Sequence, residues 1–257
     1  MSRRDGRKNN DLRDLSVEFD DLARVDGSAR FGFGPENIAL ASLSGPIEVR
    51  LSAENPSKAT LDVHLRPLSN VSATESKSMA SAIASALTLS LLLTQNPRTL
   101  VQLVVQSLSS PPRTWKDGLT AAMINASTLA FLNATSIPMK GLVCAVTVGR
   151  LASSKQFIVD PSSEEATLLD AGGCFAFLFA DGLDERVKCV WTNWRSFSGG
   201  FDEKDLVQAR DVASESAKVV WSKMKLCVSY RAQPGLKART EKNDEPGEDS
   251  DDNKMVI

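Results

Sequence analysis

The stretch Leu22–Val49, LARVDGSARFGFGPENIALASLSGPIEV, constrains the fold more than any other part of the chain. Val25-Asp26-Gly27-Ser28 reads as a turn in which Gly27 can take positive φ without a Cβ penalty. Leu22 and Arg24 before it, and Ala29, Phe31 and Phe33 after it, alternate with polar or small residues as strands do. After the Gly34-Pro35 break, Ile38–Leu43 is apolar enough for a central strand, which Gly45-Pro46 should end. The pattern predicts a β-meander, and a meander needs something apolar to cover its inner face.

The chain can supply that cover. Its 257 residues allow one large domain or two small ones, and 42% hydrophobic with 24% charged residues is ordinary for a globular protein. A net charge of −2 gives no whole-molecule attraction to nucleic acid, so any such contact must come from a local patch. Cys144, Cys174, Cys189 and Cys227 show no C-x-x-C spacing, and there is one histidine, so reduced thiols are expected and no metal site or cofactor is predicted. The basic start lacks an apolar run and is not read as a secretory signal. Ser78–Pro97 is uncharged but short and hydroxyl-rich, and reads as a buried helix rather than a membrane span. The Asn70, Asn125 and Asn133 sequons are read as chance matches.

Taken in order, residues 1–18 read as an extended, partly mobile leader. Ala59–Arg66 alternates strictly, with Leu61, Val63 and Leu65 on one face and Asp62, His64 and Arg66 on the other. Thr74 is placed to cap a helix with the stripe Met79, Ile83, Leu87 and Leu91, ended by Asn96-Pro97. Thr99–Leu108 is a strand, and Asp117 or Gly118 opens a second helix whose Leu119, Met123, Ala126 and Ala130 keep helical spacing. Strands follow at Leu142–Val148 and Phe157–Val159, then a hairpin of Cys174–Phe179 and Val187–Trp194 across Asp181-Gly182. Asp202 caps a last long helix with Leu206, Ala209, Ala213, Ala217, Val220, Trp221 and Met224 on its buried face. The order predicts an α+β fold: a single domain over residues 19–230, roughly 215 ordered residues with mobile termini. The segment 231–257 is acidic and has the composition of a disordered tail.

A strand, Asp26-Gly27-Ser28-Ala29, a second strand, an apolar third strand and then Gly45-Pro46-Ile47-Glu48 resemble the opening of the RNase PH family. Arg4-Asp5-Gly6-Arg7, followed by Asp11-Leu12-Arg13, is similar to that family's leader. The fragments Lys58–Val63, Leu65-Arg66-Pro67, Asn96–Thr99, Ile137–Met139 and Val159–Ser162 point to one branch, the eukaryotic RNA exosome ring subunit of the component five type. The resemblance implies the RNase PH fold, which is ribosomal protein S5 domain 2-like.

By the same resemblance, active members attack the last phosphodiester of an RNA 3′ end with inorganic phosphate. That chemistry needs an anion cradle, arginines, and carboxylates near the scissile bond. The family's cradle is a Gly-Gly-Thr-Arg loop entering the second helix, with free N–H groups aimed at the anion. The corresponding segment here is Ser109-Ser110-Pro111-Pro112-Arg113-Thr114-Trp115, whose two prolines remove two donors. The family's arginine pair at the first helix start is replaced by Glu75-Ser76-Lys77-Ser78. Glu164 and Asp170 stand six residues apart, as the family's acidic pair does, and are the candidate catalytic residues of an alternative in which activity persists. The other reading is that Asp160-Pro161 starts a turn solvated by Glu164 and Glu165, with Asp170 in a loop before Gly172-Gly173.

His64 has no Ser or Cys motif near it and reads as a surface or interface residue. Trp191 and Trp194 fall on opposite faces of their strand and make no stacking platform. Arg66, Lys77, Arg98 and Arg113 are the RNA-contact candidates. The resemblance thus implies a non-catalytic ring subunit, not an enzyme, that builds the exosome's ring and RNA channel. Its partners would be other RNase PH-type subunits, RNA-binding cap subunits, associated nucleases and RNA, with no membrane. Its roles would be ribosomal RNA maturation and messenger RNA decay in nucleus, nucleolus and cytoplasm. The alternative is an active exoribonuclease, phosphorolytic or metal-dependent, using Glu164 and Asp170.

Overall fold

The computed structural model describes residues 3, 5–69, 73–110, 115–180, 187–197, 200 and 202–232. Two five-stranded sheets enclose one helix. The first sheet holds β1 (Leu15–Phe19), β2 (Gly27–Phe33), β3 (Asn37–Glu48), β4 (Thr60–Arg66) and β5 (Thr99–Ser107), in the spatial order β1-β2-β3-β5-β4. The second holds β6 (Leu142–Leu151), β7 (Phe157–Val159), β8 (Leu169–Phe179), β9 (Val187–Thr192) and the two-residue β10 (Arg195–Ser196). It runs β10-β8-β6-β7, with β9 also paired to β8. The pairings are antiparallel except β4–β5, which the helix α1 (Thr74–Thr88) makes parallel by crossing between them.

The helix α2 (Asp117–Ala134) packs on β2 and β3 of one sheet and on β6 and β8 of the other. It is buried on every side from Asp117 to Phe131, so the expected stripe Leu119-Met123-Ala126-Ala130 is only one part of its covered surface. Small residues permit the approach. A Cβ on Gly27 would stand 2.5 Å from the Ala130 carbonyl oxygen. Gly27 is therefore needed for contact between β2 and α2, and Arg24 (φ 64°) takes the positive φ that had been expected of Gly27. The long helix α3 (Glu203–Ala232) covers β6 and reaches β1, with Ala209, Ala213, Ala217, Val220 and Met224 fully buried as expected. One apolar cluster joins residues from both sheets and all three helices. The arrangement is an α+β fold, and it agrees with the element order read from the sequence.

Several boundaries differ from the sequence reading. The first strand is Leu15–Phe19, not the region of Leu22, because Leu15, Val17 and Phe19 turn half-buried faces inward while Ser16 and Glu18 face out. Gly45-Pro46 does not end β3. It marks a register irregularity, beyond which Ile47 still pairs with Leu100. The helix α1 is capped by Ala73 without a side-chain bond, and it stops at Thr88, before Asn96-Pro97. Ser90 bonds back to the Leu87 carbonyl, and Leu92 N–H goes to Pro138, which draws the chain out of the helix. The strand β8 begins at Leu169 rather than Cys174, and β9 ends at Thr192, which leaves Trp194 outside it.

The leader is also held rather than free over its described residues: Asn9 accepts a bond from Val159 N–H, and Arg3 is buried. Asn125 is wholly buried and bridges the Ala145 N–H and carbonyl at 2.7 and 2.9 Å, so a glycan has no access to it. The expected turn at Asp181-Gly182, the Asn70 sequon and the tail from 233 onward lie outside the described residues. Among the described residues no helix is long and apolar enough to cross a membrane.

Candidate functional site

The ends of β4 and β5 and the starts of α1 and α2 border a cleft of about 540 Å³. Apolar side chains (Leu65, Pro67, Met79, Leu119 and Met123) and a series of serines line it. A helix N-terminus carries free N–H groups and a partial positive charge, so the start of α2 is the natural place for an anion. Two carboxylates of the chain stand beside that place. Asp117, the first residue of α2, is buried and accepts bonds from Arg195 Nη1 and Nη2 (3.0 and 2.7 Å) and from Asn193 Nδ2 (2.7 Å). Glu75, in the first turn of α1, pairs with Lys116 immediately before α2. Lys77 points to solvent, and Ser76 is buried. Among the described residues the cleft lining thus offers an anion little uncommitted positive charge. Pro111, Pro112 and Arg113 lie outside the described residues.

The two candidate acids part company. Glu164 is exposed at the start of a short 3₁₀ turn. Asp170 is not in a loop but buried on β8, which starts at Leu169; Arg150 Nε and Nη2 donate to it at 2.8 and 3.1 Å and Lys155 adds a third bond. Arg150 also meets Asp205 at the start of α3. Burial pushes the Asp170 carboxyl up, but the bonds from Arg150 and Lys155 outweigh it and hold the group below its usual range. Arg150 therefore ties β6, β8 and α3 together, through Asp170 and Asp205. Among the described residues no three His, Cys, Asp or Glu side chains converge in a way that could hold a metal ion.

A carboxylate read as solvated proves central. Glu165 is buried and accepts two bonds from Arg3, Nε at 2.8 Å and Nη2 at 2.6 Å. Burial raises its carboxyl, while the Arg3 and Ser162 N–H bonds lower it further, leaving it below the ordinary value. Next to it Asp160, at φ 46°, takes a two-pronged bond from Arg13 (2.8 and 2.6 Å) and the Arg13 backbone N–H at 3.0 Å. Arg3 also donates to the Val159 and Asp160 carbonyls at 2.8 and 2.9 Å. The leader arginines thus clamp the Val159–Glu165 loop. Partners some 150 residues apart leave no local pattern, and the sequence reading of a partly mobile leader missed the contact.

Among the described basic candidates, Arg66 and Arg98 do not share a patch. Arg66 is exposed at the end of β4, beside cleft-lining Leu65 and Pro67. Arg98 (φ 62°) precedes β5 and pairs with Glu54 at 3.3 Å. Because Arg66 is in register with Gln106, Arg98 stands at the opposite end of the sheet, about 25 Å away at the usual strand rise. His64 is exposed on the edge strand β4, 3.0 Å from Asp62, as its surface reading required. The Trp194 indole packs on Phe157 and Phe175, with ring centres 6.2 and 5.8 Å away. The cysteines are free. Burial pushes the Cys144 and Cys174 thiols well up, which makes them poor nucleophiles.

Residues 11–136 match the family model of RNase_PH, the 3′ exoribonuclease family, domain 1. The chain is 32% identical over 231 residues to an exosome complex component Rrp41 from Thermococcus kodakarensis, covering 86% of each. It is 32% identical over 168 residues to an exosome complex exonuclease RRP46 homolog from Oryza sativa subsp. japonica, covering 65% of this chain and 67% of the relative. The crystal structure of rice Rrp46 superposes with a TM-score of 0.77 at 26% identity, covering 88% of this chain and all of that one.

Proposed function

The chain belongs to the RNase PH family of 3′ exoribonucleases, and from that premise we propose that it is a non-catalytic ring subunit of the RNA exosome. Relatives named Rrp41 and RRP46, both exosome components, support the ring assignment. The finer assignment, a eukaryotic subunit of the component five type, rests on fragments such as Lys58–Val63 and Val159–Ser162. Loss of chemistry rests on one observation above the others: Asp117 and Glu75 stand beside the start of the second helix, each neutralised by a cation of this chain. A phosphate entering there would meet two carboxylates in place of free donors.

In this reading the protein contributes interfaces and part of an RNA path to an assembly of RNase PH-type subunits, RNA-binding cap subunits and separate nucleases. It acts in nucleus, nucleolus and cytoplasm, in RNA maturation and decay. Arg66 and Lys77, near the cleft, are the RNA contacts this placement favours over Arg98. The test is native mass and composition after purification from its own cells. Copurified RNase PH-type chains and nucleases support the ring, and an isolated chain sinks it. A second reading, an active exoribonuclease using Glu164 and Asp170, draws support from the name exonuclease on the rice relative. RNA degradation lost in Glu164→Gln and Asp170→Asn variants would establish it.

A further inference from the structure

The turn between β6 and β7 and the 3₁₀ turn Glu165–Leu168 border a hollow of about 360 Å³, which shares no described lining residue with the cleft at α2. Its floor is apolar. Leu151, Ile158 and Leu169 belong to a small cluster built on Trp115, separate from the main core. Leu168 lines the hollow too and is 54% exposed. The walls are set before anything binds: Ala152 N–H donates to the Leu168 carbonyl at 3.0 Å, and Lys155 N–H to the Leu151 carbonyl at 2.9 Å. The buried Arg3–Glu165 pair stands in the same lining. A preformed hollow of this size costs an occupant little rearrangement of the protein. Arg3 brings one positive charge to the described lining, and Glu164 and Glu165 bring two negative ones, so its formal charge is −1. At the rim, Asn9 Nδ2 donates to Gln156 Oε1 at 3.2 Å in an exposed pair.

We propose that this hollow anchors a peptide segment of a partner protein in which a large apolar residue is flanked by lysine or arginine. The apolar side chain enters the hollow and covers Leu151, Ile158 and Leu169, as an anchor residue does in a pocket. The flanking cations answer the negative lining, and acidic flanks are repelled by it. The side-chain amides of Asn9 and Gln156 each hold donors and an acceptor, so their exposed pair can exchange for the N–H and C=O groups of an extended chain. A small organic cation would match the floor and the charge but would leave the amide rim and the outer side of Leu168 unused. A peptide uses all four features. One anchor and its flanks make a contact well below the 1,200 Å² or so of a stable interface, so the binding is weak and reversible. The site stands apart from the ring assignment and does not depend on it.

Fluorescence anisotropy with three labelled, end-blocked heptapeptides, titrated with the purified full chain, tests it. The first carries leucine between two lysines in a glycine–serine frame, the second has glutamates for the lysines, and the third has serine for the leucine. The first should bind about tenfold more tightly than either of the others. Ala152→Phe, at an exposed lining position, should fill the hollow and abolish binding with an unchanged circular dichroism spectrum. Glu164→Lys, also exposed, should reverse the preference toward the glutamate-flanked peptide, since the formal charge of the lining changes sign. No binding of the lysine-flanked peptide, equal binding of all three, or binding that survives Ala152→Phe would each overturn the proposal. If no peptide binds but hexylamine raises the melting temperature of the wild type and not of Ala152→Phe, the hollow takes a small cation and the peptide reading falls.

Discussion

Two acid–arginine clusters in this molecule look alike in composition and differ in consequence. At the leader, Asp160 and Glu165 are buried and receive Arg13 and Arg3 from the far end of the chain. At the start of α2, Asp117 is buried, but its Arg195 is 42% exposed, and the neighbouring Glu75–Lys116 pair is largely open to water. The first cluster fastens a loop to the fold. The second stands at a helix start, where it sets two neutralised carboxylates beside the place an anion would take. A carboxylate in a family-like position is thus no sign of catalysis until its partner is known.

The comparison can be broken from either side. Asp160→Ala should have the largest effect, since it takes the two-pronged partner from the 11%-exposed Arg13, leaving it Glu36, and removes a residue type suited to φ 46°. A loss of about 3–5 kcal/mol in urea unfolding is expected, and a loss under about 1 kcal/mol would show that the clamp does not hold the loop. Arg195→Ala should cost less, about 1–2 kcal/mol, because its guanidinium is half in water and Asn193 still serves Asp117. A cost equal to that of Asp160→Ala would erase the distinction between the clusters.

The pH dependence sharpens it further. Glu165 and Asp170 have folded values below their unfolded ones, about 4.3 and 3.9. The stability they contribute is present above those unfolded values and is lost as pH falls through the folded ones. Urea midpoints should therefore drop below about pH 4, and Glu165→Gln should flatten part of that drop. An unchanged slope in Glu165→Gln would remove the Arg3 pair from the account. The smallest effect belongs to Glu164→Gln, within about 0.5 kcal/mol, as for an exposed substitution away from the core.

Much of the fold was legible because period and punctuation are local. The Phe31 and Phe33 alternation, the Gly34-Pro35 break and the alanine-rich faces of α2 and α3 all announced their elements. The misplaced first strand is five residues long, and Leu22 beside a turn imitated it. The helix α1 ends early because of a pairing of 91 with 139 that no local signal carries. The site was less legible. Glu164 and Glu165 are adjacent and chemically the same, yet one faces solvent and the other takes a buried arginine 162 residues away. Asp117 read as a helix start, and nothing near it in sequence announced Arg195. Long-range ion pairs decide which acids are available, and spacing alone does not encode them.

The central claim is that the start of α2, with two of this chain's own neutralised carboxylates beside it, serves no anion chemistry. The most direct measurement follows the 3′ end of a labelled single-stranded RNA incubated with the purified full chain, with and without inorganic phosphate and magnesium. The account predicts no release of nucleoside diphosphates or monophosphates under any of these conditions. Phosphate-dependent release of nucleoside diphosphates that Glu75→Gln leaves intact would contradict it.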